Sequence, residues 1–345
     1  MKALVYQGPG KLELEDRPIP VPGRDEVLIK VKAVSICGSD LGAYKLAEIS
    51  DRWNPPIVLG HEFSGEIAGM GEGVTNFEIG QPVTVNPILY CGHCYYCSRG
   101  MVNLCPNRYS LGTSIGGIRH DGAMQEYLTL RASAVYPLLP GISFVQGALV
   151  EPLAVSLCAA RLGEIAPDER VSLIGVGPIG LMILKFLKMD PTRQVFVSDI
   201  SQCRLDMAKR FGADVLIDGR DDVLSEIKTL TDGIGVDRVI VTAGVPGVLP
   251  IAIEMVRNGG CVDLVALMHH KVEIDPFPIV ARQISICGSY MFTTEFQDVI
   301  RMLADKQVIV DEMITSVHRL DEGVEVFKEL LKPDSTEVKV ILTTD

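Results

Sequence analysis

Short apolar runs alternate with helix-like stretches from about Val171 to Tyr290, and no other feature of this 345-residue chain restricts its fold as tightly. The runs are VSLI (171–174), VFVS (195–198), VLI (215–217), RVIVT (238–242), CVDLVAL (261–267) and ISICGSY (284–290), with stretches such as GLMILKFLKM and SQCRLDMAKRF between the first four. Alternating strand and helix patterns imply a mostly parallel sheet covered on both faces. Six such strands suit a doubly wound α/β fold of the dinucleotide-binding kind.

The first run leads into Gly175-Val176-Gly177-Pro178-Ile179-Gly180, and a helical stretch follows. This is the strand–turn–helix setting in which a G-x-G-x-x-G carries meaning. The glycines let the backbone turn tightly and approach a pyrophosphate seated on the helix N-terminus. The second strand ends at Asp199, 19 residues after Gly180. A carboxylate there accepts hydrogen bonds from ribose hydroxyls and repels a 2′-phosphate, which favours NAD over NADP. Arg204 complicates the choice, because it can hold a 2′-phosphate, stack on adenine or pair with Asp199, but the aspartate keeps NAD the expected cofactor. Val265 and Leu267, at the end of the fifth run, join the cofactor-binding candidates. The bland alternative is a tight turn with an incidental aspartate.

The first 150 residues have a different texture. EVLIKVKAV, GEIAG, QPVTVNP and EYLTL read as short strands separated by Gly and Pro, and helical periodicity starts only at Val145 to Arg161. Within this region Cys91, Cys94, Cys97 and Cys105 follow a C-x2-C-x2-C-x7-C pattern. Four thiolates in so short a loop can close a tetrahedral site around one zinc ion, with disulfides as the competing reading. Beyond the sixth run come a helix at EFQDVIRML, another around GVEVFKELL and a final strand, VKVILTT. This tail is not needed to finish the sheet and is expected to return to the first domain.

A net charge of −12 argues against nucleic acid or an anionic membrane as the main partner. The N-terminus reads as a strand and turn without an apolar signal core, and no apolar run approaches the roughly 18–20 residues of a membrane span. Nine cysteines with a metal-binding spacing fit a reducing cytoplasm.

Cys37 lies in SICGSD, His61 and Glu62 in LGHEFSG, and Glu151 in LVEPLAV. Alone, each has a dull explanation: a core thiol, a buried structural histidine, a carboxylate at a helix start. Their order along the chain, beside the cysteine loop and the glycine turn, changes that. ICGSD (36–40), GHEFSGEI (60–67), the cysteine loop (91–105), DGAMQEY (121–127), EPLAV (151–155), GVGPIG (175–180) and Asp199 together resemble the zinc-dependent medium-chain dehydrogenase family, nearly end to end.

The resemblance implies a GroES-like β-rich catalytic domain over 1–153 and 291–345, a Rossmann NAD-binding domain over 154–290, and an active site between them. It implies a closed structural zinc at the four cysteines and a catalytic zinc held by Cys37 and His61 with Glu62 or Glu151, two zincs per chain. Ser39 then contacts the substrate oxygen and passes on its proton, Asp40 orients His61, and Glu62 and Glu151 are candidate proton acceptors. Many family members carry a histidine where this chain has Gly42, so a proton relay must end elsewhere. Tyr44 and Tyr290 are assigned to the substrate pocket, with plain packing equally open for Tyr44. His120, His269 and His270 read as surface residues.

The EPLAV glutamate is similar to the polyol branch, which includes sorbitol, butanediol, threonine and galactitol-phosphate dehydrogenases. The implied reaction passes hydride from a secondary alcohol of a polyol or sugar-derived substrate to NAD. A homodimer or homotetramer is implied, with SICGSY as the edge strand that could pair across a two-fold axis. Two other classes stand beside this reading: a zinc-free relative on the same scaffold, and a zinc- or nucleotide-binding regulator without turnover.

Overall fold

Residues Glu26–Ser35 alternate between buried and half-buried positions along most of their length, the period-2 signature of a strand with one face in a core. This strand organises the first compact unit, residues 1–154 with 293–345. The computed structural model describes every residue except 46–49, 116–117, 164, 167, 269, 333 and 345, so His269 lies outside the described residues.

In that unit a seven-stranded sheet runs in the order Val135–Pro137, Pro82–Val85, Glu62–Met70, Glu26–Ser35, Lys339–Thr343, Ile314–Arg319, and Tyr127–Arg131 pairs with the far end of Glu26–Ser35. The tail's last strand thus pairs antiparallel with residues 33–35, while Glu62–Met70 pairs with the other edge. A smaller sheet joins Lys11–Asp16, Lys2–Gly8 and Ile57–Val58. Tyr6, Ile29, Val31, Phe63, Ile67, Met124 and Phe327 fill the core between these elements.

The strand Ile314–Arg319 and the helix Gly38–Lys45 carry too weak a pattern to be read from the sequence; the helix has almost no amphipathic contrast, and Ile314–Arg319 alternates only between exposed and half-buried positions. The periodic stretch from Val145 to Arg161 divides into Phe144–Gly147 and Val150–Arg161. Ser143 starts the first with a reciprocal capping box to Gln146.

The second unit, residues 155–292, is built on a six-stranded parallel sheet. Its order is Val215–Asp218, Gln194–Asp199, Arg170–Ile174, Val236–Val241, Val256–Leu264, Ser285–Gly288, the 3-2-1-4-5-6 arrangement of a doubly wound dinucleotide fold. The fifth strand starts and stops earlier than its apolar run suggests. Val265 and Ala266 both donate to the carbonyl of Val241, which turns the chain out of the ladder. Ser285–Gly288 is an edge strand, paired only with Val256–Leu264. No helix among the described residues is long and apolar enough to cross a membrane.

Candidate metal and nucleotide sites

The cysteine loop brings four sulfurs into one cluster. Cys94 lies 3.5 Å from Cys97 and 3.8 Å from Cys105, and Cys91 lies 3.6 Å from Cys105 and 4.0 Å from Cys97. Tetrahedral thiolates at a Zn–S distance of about 2.3 Å are separated by about 3.8 Å, whereas a disulfide needs about 2.05 Å. The cluster therefore has the dimensions of a zinc site and not of two disulfides. The backbone N–H groups around Cys91 pull its thiol down to about 6, while burial pushes Cys97 up to about 12. Four thiolates cannot coexist there without a cation.

A second cluster joins Cys37, His61 and Glu62, whose ligand atoms all lie within 4.8 Å of one another. Cys37 ends the loop after Glu26–Ser35, and Glu62 opens the neighbouring strand, so sheet pairing sets their approach. Asp40, in the first turn of helix Gly38–Lys45, is buried; it accepts from Cys37 N at 3.0 Å and Gly60 N at 3.3 Å. Its Oδ1 stands 3.8 Å from His61 Nδ1, within ion-pair range and just beyond hydrogen-bond reach. Burial works against charge on His61, but the Cys37 sulfur, Asp40 and Glu151 outweigh it and raise its pKa well above the ordinary value.

Glu151 falls outside that three-residue set but near it. It sits in the first turn of Val150–Arg161, where a helix dipole favours a carboxylate. Burial pushes its pKa up to about 7, against the pull of His61. Ser39 is half-buried in the helix after Cys37. Gly42, where the resemblance expects a histidine, has no neighbour within 4 Å of where a Cβ would stand. Tyr44 is only 8% exposed and packs its ring against Phe327 at 5.7 Å, in the core.

In the second unit, Gly175 has φ +88°, and a Cβ there would meet Ala243 at 2.8 Å. A Cβ at Gly180 would stand 2.3 Å from the Gly175 carbonyl. At Gly177 it would meet only the Arg204 guanidinium, at 4.0 Å. Two glycines thus serve the turn itself, and Gly177 leaves room for something outside the protein. Helix Pro178–Leu187 begins at Gly177 without a side-chain cap, so its first N–H groups are open to an anion. Asp199 accepts from Val176 N at 2.8 Å and Ser201 N at 2.9 Å. Asp199, Arg204, Gly175, Asp222, Val248 and Ile251 help line a cavity of about 490 Å³ in this unit. Val265 and Leu267 follow the fifth strand at the same carboxyl end of the sheet, and Tyr290 follows the sixth, half-buried.

Residues 23–140 match the alcohol dehydrogenase GroES-like domain, and residues 178–305 match the zinc-binding dehydrogenase domain. Sorbitol dehydrogenase of Bacillus subtilis is 34% identical over 345 residues, covering 99% of this chain and 97% of its own. The chain belongs to the zinc-dependent medium-chain dehydrogenases. An oxidoreductase of unknown specificity from Escherichia coli superposes with a TM-score of 0.93 at 30% identity, covering 100% of this chain and 99% of that one. The 2R,3R-butanediol dehydrogenase of Bacillus subtilis superposes at 0.89 with 31% identity, covering 100% and 99%.

This dehydrogenase carries one residue at the site that its sequence does not announce. Lys339, from the last strand, is buried and paired with Glu62. Burial alone would lower its pKa, but the charges of Glu62 and Cys37 outweigh it and raise the value. No local motif marks this lysine; its buried, β-rich flank VKVILTT is the only signal. A third group, Cys261, Asp263 and Cys287, also has metal-ligand chemistry. There Arg238 already holds Asp263 at 2.7 Å, and Cys261, its pKa pushed up to about 12 by burial, donates to Asp263 at 3.3 Å. Those groups satisfy one another.

Proposed function

We propose that this dehydrogenase oxidises a secondary alcohol of a polyol or sugar-derived substrate, with NAD as hydride acceptor, to the ketone. The observation that carries the reading is the Cys37–His61–Glu62 cluster within 4.8 Å, with Asp40 behind His61. The sorbitol and butanediol dehydrogenases among its relatives, named for alcohols with neighbouring hydroxyls, support the substrate class.

Cys37, His61 and Glu62 would hold the catalytic zinc, with Glu151 as the alternative carboxylate, and Cys91, Cys94, Cys97 and Cys105 a second, structural zinc. Bound there, the catalytic ion supplies Lewis-acid polarisation that makes an alcohol easier to deprotonate near neutrality. Asp40 keeps the His61 ring in one orientation. Lys339 pairs with Glu62 and balances its charge in the buried site. Ser39 contacts the substrate oxygen and passes on its proton. Glu151, with a carboxyl pushed up to about 7, can both take and release a proton at working pH. Gly175, Gly177, Pro178, Ile179 and Gly180 hold the pyrophosphate, Asp199 the ribose, and Arg204, Val265 and Leu267 flank the cofactor. Tyr290 faces substrate.

A homodimer or homotetramer formed through the Ser285–Gly288 edge, in the cytoplasm, completes the reading. Free thiols at zinc-ligand distances are the support for a reducing compartment.

The test is a panel of polyols, butanediols, threonine, sugar acids and polyol phosphates, followed by formation of reduced nicotinamide and paired with zinc analysis. Turnover of at least one vicinal diol or polyol, lost in Cys37→Ser, is the expected result. One zinc per chain with full activity in that variant would overturn it.

A further inference from the structure

The segment DGAMQEY (121–127) grips the residues that precede His61. The grip can be followed group by group. Val58 N donates to Asp121 Oδ1 at 2.9 Å. Gly122 N donates to Val58 O at 2.8 Å, Met124 N to Leu59 O at 3.0 Å, and Ala123 N to Gly60 O at 2.9 Å. Gly60 N in turn donates to Asp40 Oδ1 at 3.3 Å, and Val58 also pairs with Val5 of the neighbouring strand. The main chain of 58–60 is therefore held on one side by 121–124 and on the other by the carboxylate that stands behind His61.

The fit is close. Gly60 has φ +92°, and a Cβ there would meet the Met124 side chain at 2.9 Å. A Cβ at Gly122 would stand 2.2 Å from the Gly60 carbonyl. Only glycines let the two strips of backbone approach this closely. Of the groups in the bracket, Asp121 is the one side chain that bonds the 58–60 backbone from the 121–124 side. Its second oxygen accepts from Arg17 Nη1 at 3.2 Å, which fixes the carboxylate from behind.

We propose that Asp121 is a positioning residue for the dehydrogenase reaction: through Val58 N it sets the backbone of 58–60 and hence the direction in which the His61 ring enters the metal site. The proposal rests on the reading of His61 as a catalytic zinc ligand. Losing a group that orients a metal-binding histidine commonly costs about 10- to 100-fold in metal affinity or activity.

The experiment compares Asp121→Ala, Asp121→Asn, Arg17→Met and His61→Ala in the full-length protein, with cobalt(II) as the probe. Affinity at the Cys37–His61 position is read by chelator competition, ligand geometry by the visible absorption bands, and kcat and the KM for NAD separately. Asp121→Ala is expected to weaken cobalt at that position at least tenfold, shift the bands and lower kcat, with the KM for NAD unmoved. Asp121→Asn keeps an oxygen facing Val58 N and is expected to recover most of the affinity, and Arg17→Met to resemble it. If Asp121→Ala gives no folded protein, Asp121→Ser, too short to reach Val58 N, is expected to show the same tenfold loss. An unchanged cobalt affinity and spectrum in Asp121→Ala or Asp121→Ser overturns the proposal, as does an Asp121→Asn as damaged as the alanine variant. If His61→Ala itself leaves cobalt binding unaltered, the reading of the metal site fails instead.

Discussion

Lys339 reaches Glu62 across the strand that lies between them. Ser35 is paired with Ile341 on one side and with Glu62 on the other, so the last strand of the chain delivers an ammonium to a carboxylate 277 residues earlier. Both side chains are almost fully enclosed, at 2% and 1% exposure. A buried charge is tolerable only when paired, and removing one partner commonly costs about 3–5 kcal/mol.

Lys339→Met should therefore destabilise the first unit by an amount of that order, measured by urea denaturation. Adding Glu62→Gln should restore part of the loss, because the orphaned carboxylate is gone. A single variant as stable as the parent would show that the pair carries no net stabilisation.

The cysteine loop makes a prediction about acid. Its zinc ligands must be thiolates, so protons compete with the metal. In the metal-free loop the backbone N–H groups of His93 and Cys94 pull the Cys91 thiol down to about 6, so half of it is protonated at that pH. Zinc bound by the loop is expected to be retained at neutral pH and released increasingly in acid, as each protonated thiolate removes a ligand. A zinc-sensitive dye read across a pH series checks this. Cys97→Ser should lose one zinc and melt earlier while folded molecules still turn over.

The two kinds of glycine in the turn should behave differently. Gly180→Ala must push against the Gly175 carbonyl, 2.3 Å from the new carbon, and should cost stability as well as NAD binding. Gly177→Ala meets nothing but Arg204 at 4.0 Å and should fold normally while binding NAD at least tenfold more weakly. Calorimetric titration with NAD beside thermal melts separates the two. Parental NAD affinity in Gly177→Ala would mean that the turn does not face the cofactor.

Asp199 combines two tasks, since its oxygens already accept from Val176 N and Ser201 N. Asp199→Ser should weaken NAD binding by about 10-fold or more and raise the NADP-to-NAD ratio of kcat/KM, with Arg204 free to meet a 2′-phosphate. Cofactor kinetics with both nucleotides provide the check; an unchanged ratio would remove Asp199 from cofactor selection.

Much of this protein was legible before its structure. The glycine turn and the second strand's aspartate are local signals, and the cysteine loop packs four ligands into 15 positions, 91 to 105. The fifth strand's end was not legible, because an apolar run does not reveal that Val265 and Ala266 both turn to the Val241 carbonyl. For Tyr44 the sequence left the pocket and plain packing equally open, and its ring lies against Phe327.

The sequence by itself determined the period of the strongly patterned segments, the tight turn that demands glycine and the thiolate spacing, since these follow from backbone sterics within a few residues. Only the tertiary structure decided that Lys339 neutralises Glu62 and that Asp121 holds Val58, across separations of 277 and 63 residues. Those partnerships depend on strand register and loop packing, and register is settled by the burial of whole faces at once rather than by any motif.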